Sequence, residues 1–153
     1  MSEYYSIKKK GFEITTNPRK IDLTKLYNYL AFESYWAQNI PFELVIKSIE
    51  NSLNFSVIEL QYDAFIGFAR LITDKATFAY LADVFIDTKY RGLGLGKWLI
   101  ETIMNHPEVQ GLRTWFLFTK DAHGLYRQYG WKDLENPERA MSIRHPASEL
   151  YKP

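Results

Sequence analysis

Apolar positions change their spacing twice along the chain. Phe12 and Ile14 alternate with polar residues, which predicts a short strand over Phe12–Thr15, broken by Asn17-Pro18. From Leu23 the spacing becomes helical. Leu23, Leu26, Tyr27 and Leu30 predict a helix over Leu23–Glu33, with Asp22 as its N-cap and Ile21 stapled against Leu26. Pro41 opens a second helix, whose Phe42, Val45, Ile46, Ile49 and Leu53 share one face. The period then falls to that of a strand. Asn54–Gln61 and Phe65–Thr73 read as a hairpin turned at Tyr62-Asp63-Ala64. Thr77–Ile86 reads as a longer strand after a turn at Thr73-Asp74-Lys75. A glycine-rich loop, Arg91–Gly96, leads into a helix over Leu95–Asn105 that His106-Pro107 ends. Leu112–Phe118 is almost wholly apolar and predicts a strand buried on both faces. Asp121–Tyr129 reads as a short helix stopped by Gly130, and Trp131–Leu134 and Ala140–Arg144 as two closing strands. The class is therefore α/β or α+β, with a mixed sheet and helices on both faces. The strand–loop–helix–strand unit over Ala79–Phe118 should be a right-handed crossover between parallel strands.

Composition narrows the function. The 153 residues fit one domain, 1–153, able to bury roughly 70% of its unfolded surface. Nineteen Lys and Arg against eighteen Asp and Glu leave a net charge of +1, without the basic excess of a nucleic-acid binder. With no Cys, a disulfide scaffold, a thiol nucleophile and a thiolate zinc site are excluded. His106, His123 and His145 lack metal-ligand spacing, so no metal is expected. The N-terminal stretch lacks the apolar core of a signal peptide, and no run approaches 18 apolar residues. A cytoplasmic protein without a membrane or nucleic-acid partner is the expectation. Lys8-Lys9-Lys10 reads as a solvated strand edge or terminus. Aromatics at 16% predict a rich core or an aromatic-lined pocket, and exposed ones would suit a homodimer.

The chemistry concentrates at Val84-Phe85-Ile86 and Arg91-Gly92-Leu93-Gly94-Leu95-Gly96-Lys97. Alternating glycines admit a ligand close to the backbone. A strand before them and a helix N-terminus after them supply free N–H groups and a positive dipole end, which suit phosphate. Arg91 and Lys97 add two charges. A P-loop is excluded, because Arg91 stands where its first Gly belongs and Trp98 where its Ser or Thr belongs. A dinucleotide fingerprint is excluded in both registers, because its third Gly would fall at Lys97 or Leu99.

The remaining pattern, Arg/Gln-x-x-Gly-x-Gly/Ala after a Val-x-Ile strand end, is met by Arg91, Gly94 and Gly96 after Val84 and Ile86. Here the sequence resembles the GNAT superfamily of N-acetyltransferases. Ile66-Gly67-Phe68-Ala69-Arg70 is similar to that family's preceding strand, and Thr119–Trp131 to its Asn-x-x-Ala-x-x-Leu-Tyr-x-x-x-Gly-Phe segment, with Thr119 in place of Asn. The match spans about Phe55 to Trp131. The resemblance implies a mostly antiparallel twisted sheet of six to seven strands, about four helices on both faces, and a parallel pair flanking the glycine-loop helix. It implies acetyl-CoA as co-substrate, its pyrophosphate on Arg91, Gly92, Leu93, Gly94, Leu95, Gly96 and Lys97. The pantetheine arm would lie along Val84, Phe85 and Ile86, near Thr119 and Ala122. A backbone N–H of Val84 or Phe85 would face the thioester oxygen.

Acetyl transfer to an amine also needs an acid for the thiolate and a base for the ammonium. The resemblance makes Tyr126 the acid and its position in the motif favours that role, while helical spacing with Ala122 and Tyr129 also allows a core role. Strand alternation puts Leu81, Asp83 and Phe85 on one face. A carboxylate between large apolar residues suits a base, so Asp83 is the first candidate, with a structural role equally open and Asp121 and His123 as rivals. By analogy the acceptor pocket comes from the first two helices, where Phe32, Glu33, Tyr35 and Trp36 could take an amine, Glu33 by charge and an aromatic by cation–π contact. Packing remains the alternative, above all for Trp36. The expected function is acetyl transfer from acetyl-CoA to a small primary amine by direct attack in a ternary complex. An acyl-CoA-binding regulatory domain and an acetyltransferase of protein amines remain open.

Overall fold

The computed structural model describes residues 4–153. One six-stranded sheet runs through its centre, with the strands side by side in chain order. β1 (Ser6–Lys9) and β2 (Phe12–Thr15) form a hairpin turned at Lys10-Gly11. β3 (Leu53–Glu59), β4 (Ala64–Thr73) and β5 (Phe78–Ile86) continue antiparallel, and β6 (Thr114–Leu117) joins β5 in parallel. The crossover between β5 and β6 is the glycine loop with α3 (Leu95–Met104). Lys8 and Lys9 lie in β1, an exposed edge strand, where solvated lysines oppose pairing with another sheet.

Helices cover both faces. α1 (Leu23–Asn28) continues into a π turn at Tyr29–Glu33, and α2 (Phe42–Glu50) follows. Asp22 caps α1 as expected, its carboxylate accepting from the Lys25 N–H at 3.0 Å. Leu26, Leu30 and Val45 of this layer bury against Phe65, Phe68 and Phe85. On the opposite face Trp98, Leu99, Ile100 and Ile103 of α3 pack on Phe55, Val57, Leu71 and Leu81. α4 (His123–Arg127) joins that layer through Tyr126, and α5 (Ala147–Leu150) lies near the C-terminus. Among the described residues no helix is long and apolar enough to cross a membrane.

Three expectations are corrected. Trp131–Leu134 and Ala140–Arg144 form no strands. Met141 and Ile143 are 99% and 90% exposed, so their alternation has no core face to bury it. β6 is consequently the sheet's edge. Trp115–Leu117 are half-buried and Phe118 is exposed, where burial on both faces is expected from the sequence. The third correction lies in β5. Phe68 opposes Phe85 and Arg70 opposes Ala82, so Asp83 and Val84 together face Ala69. This bulge, with Asp83 in the left-handed region at φ 54°, breaks the alternation. Leu81 joins the α3 core and Phe85 the α1–α2 core, on opposite faces of the sheet.

Gly67 marks where β4 and β5 crowd. A Cβ there would lie 2.7 Å from Ile86 Cδ1 and 3.0 Å from the Phe85 carbonyl oxygen. Gly67→Ala is therefore expected to lower unfolding stability by about 1–3 kcal/mol, measured in urea.

Candidate active site

β5 and β6 pair from Phe78–Thr114 to Leu81–Leu117 and then part. β5 runs on to Ile86, so Ala82–Ile86 has no strand beside it on that edge. A cleft of about 910 Å³ opens between the diverging strands. β5 forms its floor from Tyr80 to Val84. The β6–α4 loop and Tyr126 form one wall; the π turn, the loop after it and α2 form the other. Tyr35 spans the two, its hydroxyl accepting from the Lys120 N–H at 3.2 Å while Lys120 Nζ sits 5.4 Å from its ring centroid.

The glycine loop adjoins this cleft, and its first residue, Arg91, lines it. Arg91 Nε donates to the Ile86 carbonyl at 3.1 Å, tying the loop's start to the end of β5. Gly92 and Gly94 take φ of 82° and 79°, which a side chain would strain. Gly96 is different. It lies inside α3 without a positive φ, and a Cβ there would meet nothing within 4 Å. Neither backbone nor packing calls for glycine, which costs a helix about 1 kcal/mol against Ala. The open space over Gly96, at the N-terminus of a ten-residue helix, fits a phosphate held against backbone N–H groups.

Asp83 occupies a different setting from that of a free base. Its Oδ1 accepts from Trp36 Nε1 and its Oδ2 from Arg70 Nε, both at 2.8 Å. Arg70 also donates to Ser52 Oγ at 3.3 Å. The side chains of Arg70 and Asp83 are only 16% and 8% exposed. Both carboxylate oxygens are thus committed, and the pair fixes Trp36 over the bulge. Tyr126 is buried, with its ring edge-on to Trp131 at 5.7 Å. Burial pushes its phenol up to about 12. Its hydroxyl has no hydrogen-bond partner among the described residues, and the residue lines both the cleft and a smaller groove. Thr119, in the position of the family's Asn, accepts from the Ala122 N–H at 3.0 Å and keeps its O–H proton to donate.

Of the residues expected at the site, Asp83, Val84, Arg91, Thr119, Ala122, Tyr126, Glu33, Tyr35 and Trp36 line this cleft. Gly92, Leu93, Gly94, Gly96 and Lys97 form the loop and helix start beside it. Phe85 is buried, stacked on Tyr29 at 3.8 Å, and Leu95 is in the core, so only their backbones can serve a ligand. The Ile86 side chain packs against the same core. Phe32 stands 66% exposed, outside the cleft and edge-on to Tyr27, because the π turn rotates it away. Asp121 lines the cleft; His123 instead lines a smaller groove of about 350 Å³ formed by β6, α4 and Trp131–Leu134. Tyr29, Lys47, Arg70, Tyr80 and Arg144 line the cleft without being predicted there. Burial raises the phenols of Tyr29 and Tyr80, against Arg91 near the first and Arg144 and Arg70 near the second. Among the described residues no three His, Asp or Glu side chains gather as a metal site requires.

Residues 51–133 match the model of the acetyltransferase (GNAT) domain, more than half of the chain. The chain belongs to the GNAT acetyltransferase family. Its fold matches that of a GNAT-family protein from Xanthomonas campestris pv. campestris, with a TM-score of 0.89 and 37% identity over 95% of this chain and 100% of that one. It is 32% identical to an uncharacterized N-acetyltransferase of Prochlorococcus marinus, over 74% of this chain and 64% of the relative. A candidate acetyltransferase of Gibberella zeae is 27% identical over 78% of each. GNAT enzymes generally transfer acetyl groups with acetyl-CoA as co-substrate.

Proposed function

We propose that this GNAT protein moves an acetyl group from acetyl-CoA to the primary amine of a small molecule, with both bound together in the β5–β6 cleft. One observation carries the reading. The unpaired edge of β5, the Arg91 end of the glycine loop and the Tyr126 phenol border a single space. The co-substrate, when bound, supplies an acetyl thioester. The loop from Arg91 to Lys97 holds the pyrophosphate, and the Ala82–Ile86 edge aligns the pantetheine arm as a neighbouring strand would. A backbone N–H at Val84 or Phe85 faces the carbonyl oxygen, where negative charge develops. Trp36, held by Asp83, and Tyr35 confine the acceptor, while Glu33 draws in its ammonium group. The amine proton leaves to water in the open cleft, because Asp83 is committed to Arg70 and Trp36. Tyr126 O–H donates to the departing sulfur.

Calorimetric titration of acetyl-CoA tests the binding half. Gly96→Leu is expected to fold with a melting temperature at or above that of the parent, since leucine is a far better helix former than glycine. It should weaken acetyl-CoA binding at least tenfold, because the new side chain fills the open space over the helix N-terminus. Gly96→Ala, which the family pattern permits, should bind as the parent does. No binding by the parent, or equal binding by the Leu variant, would contradict the assignment.

A further inference from the structure

Charges of both signs line the cleft. Glu33 lines it from the π turn, Asp121 from the β6–α4 loop and Arg91 from the glycine loop. Four residues back along β5, roughly 13 Å from Val84 at about 3.3 Å per residue, it reaches Tyr80. There the C-terminal segment supplies Arg144, whose guanidinium carbon stands 4.6 Å from the Phe118 ring centroid. Arg144 forms no ion pair among the described residues, and neither does Lys47, which lines the cleft from α2. Arg70 is the third cation, neutralised by Asp83. Asp83, Arg144 and Arg70 all act on the Tyr80 phenol, which places Arg144 beside Tyr80.

Two cations without carboxylate partners thus share a cleft with the Tyr80 and Phe118 rings. The guanidinium fork suits a planar carboxylate or a phosphate, and a lysine adds a point charge to either. The loop that takes the co-substrate's phosphates adjoins the opposite end of the β5 edge, so these two cations are left for the acceptor. We propose that the acceptor is an amine that also carries a carboxylate or phosphate, held by Arg144 with Lys47, so that its amine lies toward Glu33 and Val84. The C-terminal segment is then part of the specificity pocket. This inference rests on the acetyl-transfer reading above.

Matched acceptors test it. One pair is an aromatic amino acid and its carboxamide; the other is an aminoalkyl phosphate and the corresponding amino alcohol. Thiol release is followed at saturating acetyl-CoA. The anionic member of one pair is expected to have at least tenfold higher kcat/KM, mainly through KM, and which pair shows it separates carboxylate from phosphate. In Arg144→Gln that ratio should fall toward one, while Arg144→Lys should keep part of it. Arg144 is exposed, so both variants should melt with the parent. Equal kcat/KM within both pairs, or an unchanged ratio in Arg144→Gln, overturns the proposal and leaves acetyl transfer standing. No thiol release with any acceptor and no acetyl-CoA binding overturns both.

Discussion

Tyr126→Phe is expected to lower kcat about a hundredfold while leaving acetyl-CoA affinity and melting temperature near those of the parent. The ring supplies the packing against Trp131, and Phe retains it. The hydroxyl has no hydrogen-bond partner among the described residues, so its removal leaves no orphaned group in the core. A phenol at about 12 is fully protonated at neutral pH and ready to donate. It is also a weak acid. A thiol ionises near 8.5, so complete proton transfer to the thiolate would run uphill by about 3.5 pKa units, or ~5 kcal/mol. In the proposed reaction Tyr126 would therefore stabilise the sulfur charge by hydrogen bonding, with protonation completed as the thiol leaves. The sign of the pH dependence follows. A raised phenol pKa preserves the donor as pH rises, so kcat should show no Tyr126-dependent fall below about pH 10. Steady-state kinetics of both proteins from pH 6 to 10 checks this. Were Tyr126 only a core residue, the Phe variant would turn over as the parent does.

Asp83→Ala is expected to cost about 3 kcal/mol of unfolding stability. It strands the Arg70 guanidinium with its main partner gone, frees Trp36, and puts Ala at φ 54°, which Asp tolerates better. Asp83→Asn should cost less, because Asn accepts the bulge geometry and can still receive the indole N–H. Urea unfolding orders the three proteins. Kinetics then separates the roles open for Asp83. As a positioning residue it raises the acceptor's KM when replaced and leaves the pH dependence of kcat/KM unchanged. As a general base it would take the acidic limb of the profile with it.

The legible parts of the fold were those fixed by local chemistry. Asp22 caps α1 because its carboxylate reaches the Lys25 N–H, and the sequence predicts that from spacing alone. The β5–loop–α3–β6 unit follows from its element order. Much of the cleft is equally readable, because Arg91, Thr119, Ala122 and Tyr126 sit at fixed offsets from the glycines and Leu125. The bulge at Asp83 leaves no such trace. It breaks alternation without a glycine, and what stabilises it comes from Arg70 on the next strand and Trp36 after the π turn, 13 and 47 residues away in the chain. The π turn likewise is a tertiary outcome within an ordinary helical pattern, and it moves Phe32 out of the pocket while bringing Tyr29 onto Phe85. In Ala140–Arg144 the alternation predicts a strand, but Met141 and Ile143 face no core, and the segment instead delivers Arg144 to the cleft.

Initial rates measured while acetyl-CoA and an amine are varied together test the ternary-complex cleft most directly. If both ligands bind together in the cleft, with no cysteine to carry the acetyl group, double-reciprocal plots should intersect. Parallel lines, the signature of an acetylated enzyme that releases CoA before the amine enters, would contradict it.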